Sequence, residues 1–167
     1  MNLQTSKRIL IIGSPGSGKS TLAGILEKKL SLPVIHLDQI NWKNNKETLS
    51  SQEFDEKLIS ILSSRVWIID GNYNRTLELR IQAADTVIWL DFPRLLCVYR
   101  VLKRYILGKF RESSYGNPNR LEKEFISFIW HFNKTNKPNM LFLMKKYEKN
   151  CQFYQIKRPK EIKQLFV

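Results

Sequence analysis

Residues 13–20 read Gly-Ser-Pro-Gly-Ser-Gly-Lys-Ser, between the apolar run Ile9-Leu10-Ile11-Ile12 and a stretch with helical spacing. This is a complete G-x-x-x-x-G-K-[ST] phosphate-binding loop in the strand–loop–helix setting that the motif requires. Glycines let successive backbone N–H groups turn inward around phosphate oxygens, and the following helix presents its positive end to the same anion. Gly13, Ser14, Pro15, Gly16, Ser17 and Gly18 form the cradle, and Thr21 carries it into the helix. Lys19 is placed to reach the outer phosphates and the Ser20 hydroxyl to ligate Mg²⁺. The ligand this spacing implies is a nucleoside triphosphate, taken here as ATP with Mg²⁺.

The chain has 167 residues, enough for one α/β domain and too few for two ordinary ones. With 43% hydrophobic and 26% charged residues the composition is that of a globular protein. No apolar stretch approaches the roughly 20 residues needed to span a bilayer. Cys97 and Cys151 show no metal-ligand spacing and lie in apolar segments, which reads as buried thiols in a reducing cytoplasm. His36 and His131 are too few and too far apart to suggest zinc. The net charge of +13 is compatible with a nucleic-acid partner, but its lysines are scattered, with no run of five.

The chain alternates strand and helix. Strands are expected at about Arg8–Ile12, Val34–Leu37, Val66–Ile69, Thr86–Leu90 and Gln152–Ile156. Several are continuous apolar runs, as in a parallel sheet covered on both faces. Helical periodicity covers Ser17 or Gly18 to Leu30, Ser51–Ser63 with Ser51 as cap, and Pro93–Leu107 ahead of Gly108. It returns over Pro118–Phe132, Asn139–Lys149 and Pro159–Phe166, while residues 109–117 suit a mobile loop. The expectation is a three-layer α/β/α fold with ligands at the carboxyl ends of the strands. The aromatics Phe125, Phe128, Trp130 and Phe132 have mostly helical spacing and read as core.

Two features argue against a GTPase. Asp70-Gly71-Asn72-Tyr73 lacks the glycine three residues after the aspartate that a switch turn uses. Asn133-Lys134-Thr135-Asn136 imitates a guanine-specificity motif but ends in Asn, where Asp must accept from the base. The remaining pattern resembles the nucleoside-monophosphate-kinase group, and within it the adenylate-kinase-like family called DNA topology modulation (FlaR-type) proteins. The resemblance rests on His36-Leu37-Asp38, Trp67-Ile68-Ile69-Asp70-Gly71-Asn72-Tyr73, Ala84-Asp85 and Leu90-Asp91-Phe92-Pro93. It implies a single domain over 1–167, a five-stranded parallel sheet of order 2-3-1-4-5, and a lid over roughly 104–137. It also implies an ATP- and Mg²⁺-dependent phosphotransferase acting on a small-molecule acceptor such as a nucleoside or nucleotide. The alternative is an ATP-binding protein that interacts with DNA and influences its topology.

Asp70 follows three apolar residues and is the candidate magnesium carboxylate, with Asp91 at the end of a similar strand as its rival. Asp38 is expected to close strand two at the same crevice, as base for an alcohol acceptor or as a positioning group for a phosphate acceptor. His36 reads as a packed histidine. Arg100 and Arg104 lie four apart on one helix face. That spacing resembles the start of the lid in adenylate-kinase-like enzymes, where one guanidinium stacks on adenine and another grips phosphates. Arg111 is a weaker candidate for the same work. Arg75 and Arg80 are candidates for an anionic substrate or for pairing with Glu78 or Asp85. Related monophosphate kinases carry an arginine four residues after the aspartate, whereas here Arg75 comes one residue late. Trp42 is the candidate ring for stacking on an acceptor.

Overall fold

A computed structural model describes residues 3–41, 47–108 and 123–166. Five strands, β1 (Arg8–Gly13), β2 (Val34–His36), β3 (Trp67–Asp70), β4 (Thr86–Leu90) and β5 (Gln152–Ile156), form one sheet of order β2-β3-β1-β4-β5. Every neighbouring pair is parallel. The three central strands are buried along almost their whole length, which their unbroken apolar sequences require, while β2 and β5 at the edges are only partly covered. The register sets Ile11 opposite Asp70, and His36 opposite Asp70 from the other side.

The helices are α1 (Lys19–Leu30), α2 (Leu37–Asn41), α3 (Ser51–Leu62), α4 (Leu77–Ala83), α5 (Arg94–Gly108) and α6 (Lys123–Tyr147), with 3₁₀ turns at Asn74–Thr76 and Pro159–Phe166. Two hydrophobic layers sandwich the sheet. One joins Leu22 and Leu26 of α1 to Cys97 and Val101 of α5, under Ile9, Ile11 and Ile88. The other joins Phe54 and Leu58 of α3, Ile81 of α4 and Met140 and Leu143 of α6, under Leu10, Ile69 and Val87. Both cysteines are buried and unpaired. Among the described residues no helix is long and apolar enough to cross a membrane.

Four expectations need correction. The second strand stops at His36, and Leu37 opens a short helix, so Asp38 stands in the first turn of α2 and not at a strand end. The third strand starts at Trp67 and includes Asp70, which is paired on both sides. Ser50, not Ser51, caps α3: its side chain accepts from the Glu53 N–H while Glu53 accepts from the Ser50 N–H. A capping box needs its acid three residues after the cap, which selects Ser50. Finally, the two segments expected over Pro118–Phe132 and Asn139–Lys149 are, in their described part, joined in one helix, Lys123–Tyr147, with Pro138 inside it. Packing of Ile129 and Phe132 before the proline, and of Met140 and Leu143 after it, overrides the local preference to break.

Candidate active site

The site begins with backbone. Gly13, Gly16 and Gly18 all have positive φ, of 152°, 80° and 96°. At Gly16 a Cβ would stand 2.4 Å from the Cys97 carbonyl oxygen and 2.9 Å from Val101, so the loop lies directly on α5. At Gly13 it would meet the Leu90 carbonyl oxygen at 2.7 Å and Ser17 Oγ at 2.9 Å. The loop therefore traces its path only with glycine at these points. Gly18 ends it as the N-cap of α1 with no side-chain cap, which leaves the first-turn N–H groups available to an anion. Ser17 Oγ is buried and, among the described residues, has no hydrogen-bond partner. This donor set suits a polyphosphate.

Lys19 lies back along the loop, its Nζ donating to the carbonyl oxygens of Gly13 at 2.9 Å and Ser14 at 3.2 Å. Burial pushes its ammonium below the usual lysine range, and the carboxylates of Asp70 and Asp38 oppose that shift. Arg100 reaches over from α5, its Nη1 donating to the Ser17 carbonyl at 3.0 Å and its guanidinium standing 5.5 Å from the Phe92 ring centre. Loop and α5 thus border a crevice of about 730 Å³ that also receives Arg104, Asp38, Asp70, Asn72 and Tyr73. Lys19 of α1 and the pair Arg100 and Arg104 of α5, distant from it in sequence, all line the crevice.

The end of β3 supplies the next group of residues lining the crevice. Asp70 is buried, and His36 Nδ1 donates to its Oδ1 at 2.6 Å. That bond holds the imidazole above its ordinary pKa. The sequence reading of His36 as a packed residue missed this contact, because a pair on neighbouring parallel strands leaves no local signal. Asn72 ties this group to the phosphate loop, its Oδ1 accepting from the Gly13 N–H at 3.3 Å. Gly71 is needed because a Cβ there would lie 2.8 Å from Leu37 Cβ. Tyr73 adopts φ 23°, ψ 72°, a strained backbone for a ring-bearing residue. Its ring stacks on Phe54 at 4.9 Å, and burial together with the adjacent Asp38 carboxylate raises the phenol above its ordinary range.

Other expectations about the acceptor side turn out differently. Arg80 is fully buried and donates to the carbonyl oxygens of Gly71 at 2.9 Å, Asn72 at 2.5 Å, Tyr73 at 2.8 Å and Thr76 at 3.3 Å. Burial lowers its guanidinium to about 10, which leaves it charged at neutral pH. It is a clamp on the turn, with no crevice face. Leu77, Arg80 and Ile81 share the buried side of α4, a spacing that the reading of Arg80 as a substrate or ion-pair residue overlooked. Arg75 makes a bidentate pair with Asp55 of α3, at 2.6 and 2.7 Å, and pairs with neither Glu78 nor Asp85. Asp91 is engaged by Lys137 and Gln155, both at 2.8 Å. Asn133 and Asn136 sit in α6, bonded to the Phe92 and Phe132 carbonyls, respectively. Trp42, Arg111 and the loop at 109–117 lie outside the described residues.

Two of the rings read as core open onto the crevice instead. Phe125 and Phe128 line it with Ile25 and Ile162, and Phe128 is 46% exposed. They supply a flat apolar end beyond the phosphate loop. For magnesium, the crevice offers the Ser20 hydroxyl and the Asp70 carboxylate. No cluster of three or more His, Cys, Asp or Glu occurs among the described residues. Two protein oxygens fit Mg²⁺ as it is held beside phosphates, where water and phosphate oxygens complete the shell.

No family model matches the chain. Adenylate kinase of Wigglesworthia glossinidia brevipalpis is 30% identical over 146 residues, covering 78% of this chain and 69% of that protein. A putative adenylate kinase of Sulfurisphaera tokodaii is 28% identical over 176 aligned positions, covering 95% and 90% of the two chains. Among solved structures, shikimate kinase from Acinetobacter baumannii in complex with shikimate superposes with a TM-score of 0.61 at 16% identity, over 98% of this chain and 93% of the other. Shikimate kinase from Bacteroides thetaiotaomicron gives 0.60 at 17% identity, over 96% and 94%. These two likenesses show a shared fold.

Proposed function

The chain belongs to the adenylate-kinase-like superfamily of phosphate-loop kinases, and from that premise we propose that it is an ATP- and Mg²⁺-dependent phosphotransferase for a small-molecule acceptor. The observation that carries this reading is the glycine-built loop at 13–18, packed on α5 at Gly16 and lining a crevice that Lys19, Arg100 and Arg104 share. Backbone N–H groups of the loop and the open end of α1 bind the phosphates. Lys19 exchanges the Gly13 and Ser14 carbonyls for the outer phosphate oxygens. Arg100 and Arg104 balance charge on the transferring group, and fixed guanidinium forks suit its spread over three oxygens. Ser20 and Asp70 would hold a magnesium ion, which would supply positive charge to offset that of the phosphates. Phe125 and Phe128 offer a stacking surface to the base.

The relatives are named for adenylate and a structural neighbour carries shikimate, so both point to a small acceptor. The motifs at 36–38, 67–73 and 90–93 support a position near the FlaR-type branch of the superfamily. Two buried, unpaired thiols support work in a reducing cytoplasm. The region of roughly 104–137 would act as a lid that excludes water. A second reading, action on DNA, is favoured by the net charge of +13 and requires duplex affinity that falls steeply with salt.

The test is turnover of ATP with a panel of nucleosides, nucleotides and sugars. Wild-type protein is expected to release ADP in a Mg²⁺-dependent way, and Lys19→Ala to lower the rate by roughly 10²–10³-fold, the scale for loss of one transition-state donor. Mg²⁺-independent turnover, or a Lys19→Ala rate equal to wild type, would refute the mechanism.

A further inference from the structure

Asp70 is buried, yet it lines the crevice together with Ser20, and a buried carboxylate is costly unless it is paired. His36 supplies a partner. Its Nδ1 stands 2.6 Å from Asp70 Oδ1, with 16% of the imidazole side chain and 5% of the carboxylate side chain exposed. So short a contact is the mark of a charge-assisted hydrogen bond. His36 is not among the described residues that line the crevice, so what it does for the site it does through Asp70.

The sheet delivers this donor. β2 and β3 are parallel neighbours with His36 in register with Asp70, so the two side chains project from the same face. His36 is the last residue of β2, and the next residue, Leu37, is buried against the turn after β3. A Cβ on Gly71 would lie only 2.8 Å from Leu37 Cβ. Strand register on one side and this close approach on the other leave the backbone at residue 36 little room to shift. The last torsion of an aspartate is soft, with no sharp preferred angle. A fixed donor on Oδ1 removes that freedom and holds Oδ2 at one orientation.

Building on the kinase reading, we propose that His36 is a positioning residue for the metal site: its Nδ1–H holds the Asp70 carboxylate in the orientation that takes the magnesium ion accompanying ATP. Outer partners of metal-holding groups typically matter by about 10–100-fold in metal affinity. The role asks for a donor at the Nδ1 position and for nothing else of the ring. Asparagine carries an N–H donor as many bonds from the backbone as Nδ1, whereas leucine fills similar space with no donor.

Calorimetry gives ATP affinity with saturating Mg²⁺ and again with the metal removed by EDTA, and the ratio of the two is the metal's contribution. In His36→Leu that ratio is expected to fall about tenfold, with metal-free ATP affinity within about threefold of wild type. His36→Asn should keep the ratio within about threefold of wild type. A leucine ratio that stays inside that limit overturns the inference, and so does an asparagine ratio as low as leucine's. A second measurement needs no folded leucine variant. The chain has two histidines, and the other, His131, lies on α6 beside the Ser127 carbonyl. In ¹⁵N spectra of ATP-loaded wild type, added Mg²⁺ should shift the ring signals of His36, assigned by their absence in His36→Asn, and leave those of His131 in place. A still His36 ring, or equal movement of both rings, contradicts the proposal. Wild type that binds ATP equally with and without Mg²⁺ also overturns it, while leaving ATP binding by the loop intact. Failure of wild type to bind ATP under either condition would remove the kinase reading itself.

Discussion

The phosphate loop and the turn after β3, which line the same crevice, are made by opposite means. At the phosphate loop the backbone is the main element: Gly16 lies against α5, and side-chain cations arrive from α1 and α5 beside it. At Gly71–Tyr73 a strained turn is held by one buried arginine, and the carboxylates of Asp38 and Asp70 line the crevice beside it. Charge is useful where it is fixed, and Arg80 is fixed where it serves the fold.

Substitutions in each sharpen that contrast. The largest effect is expected for Gly16→Ala, whose methyl group has a φ of +80° and a carbonyl oxygen 2.4 Å away to contend with. Left-handed strain and overpacking together should lower the free energy of unfolding by about 4 kcal/mol, read from urea denaturation. A loss below a quarter of that would mean the loop does not press on α5. Next comes Arg80→Met, which leaves the carbonyls of Gly71, Asn72 and Tyr73 without their buried donor. Stability should drop by about 3 kcal/mol. An unchanged urea midpoint would show that the turn holds itself. The smallest effect has the opposite sign. Gly24 lies inside α1 with open space where a Cβ would go, so Gly24→Ala should raise stability by about 0.5–1 kcal/mol. Destabilisation there would mean that α1 is crowded on a side the structure leaves clear.

How legible this was in the sequence follows the same division. The phosphate loop is local, so residues 13–21 could be read directly, strand and helix included. The sheet order followed from a resemblance, while its buried strands followed from unbroken runs such as Ile9–Ile12 and Val87–Leu90. The surroundings of Asp70 and Asn72 are made by contacts distant in sequence. His36 meets Asp70 across 34 positions, and Asn72 meets Gly13 across 59. Neither pair has a periodicity to betray it. Pro138 misled because a long helix packed on both sides of it tolerates one lost hydrogen bond. Phe125 and Phe128 misled because helical spacing marks a face without saying whether that face meets core or crevice.

The account turns on one binding event, and calorimetric titration of ATP·Mg²⁺ into wild-type and Lys19→Ala protein measures it directly. The expected result is one ATP per chain for wild type, with affinity at least tenfold weaker, or about 1.4 kcal/mol, once the ammonium is gone. Equal affinity in the two proteins, or no heat with wild type, would contradict it.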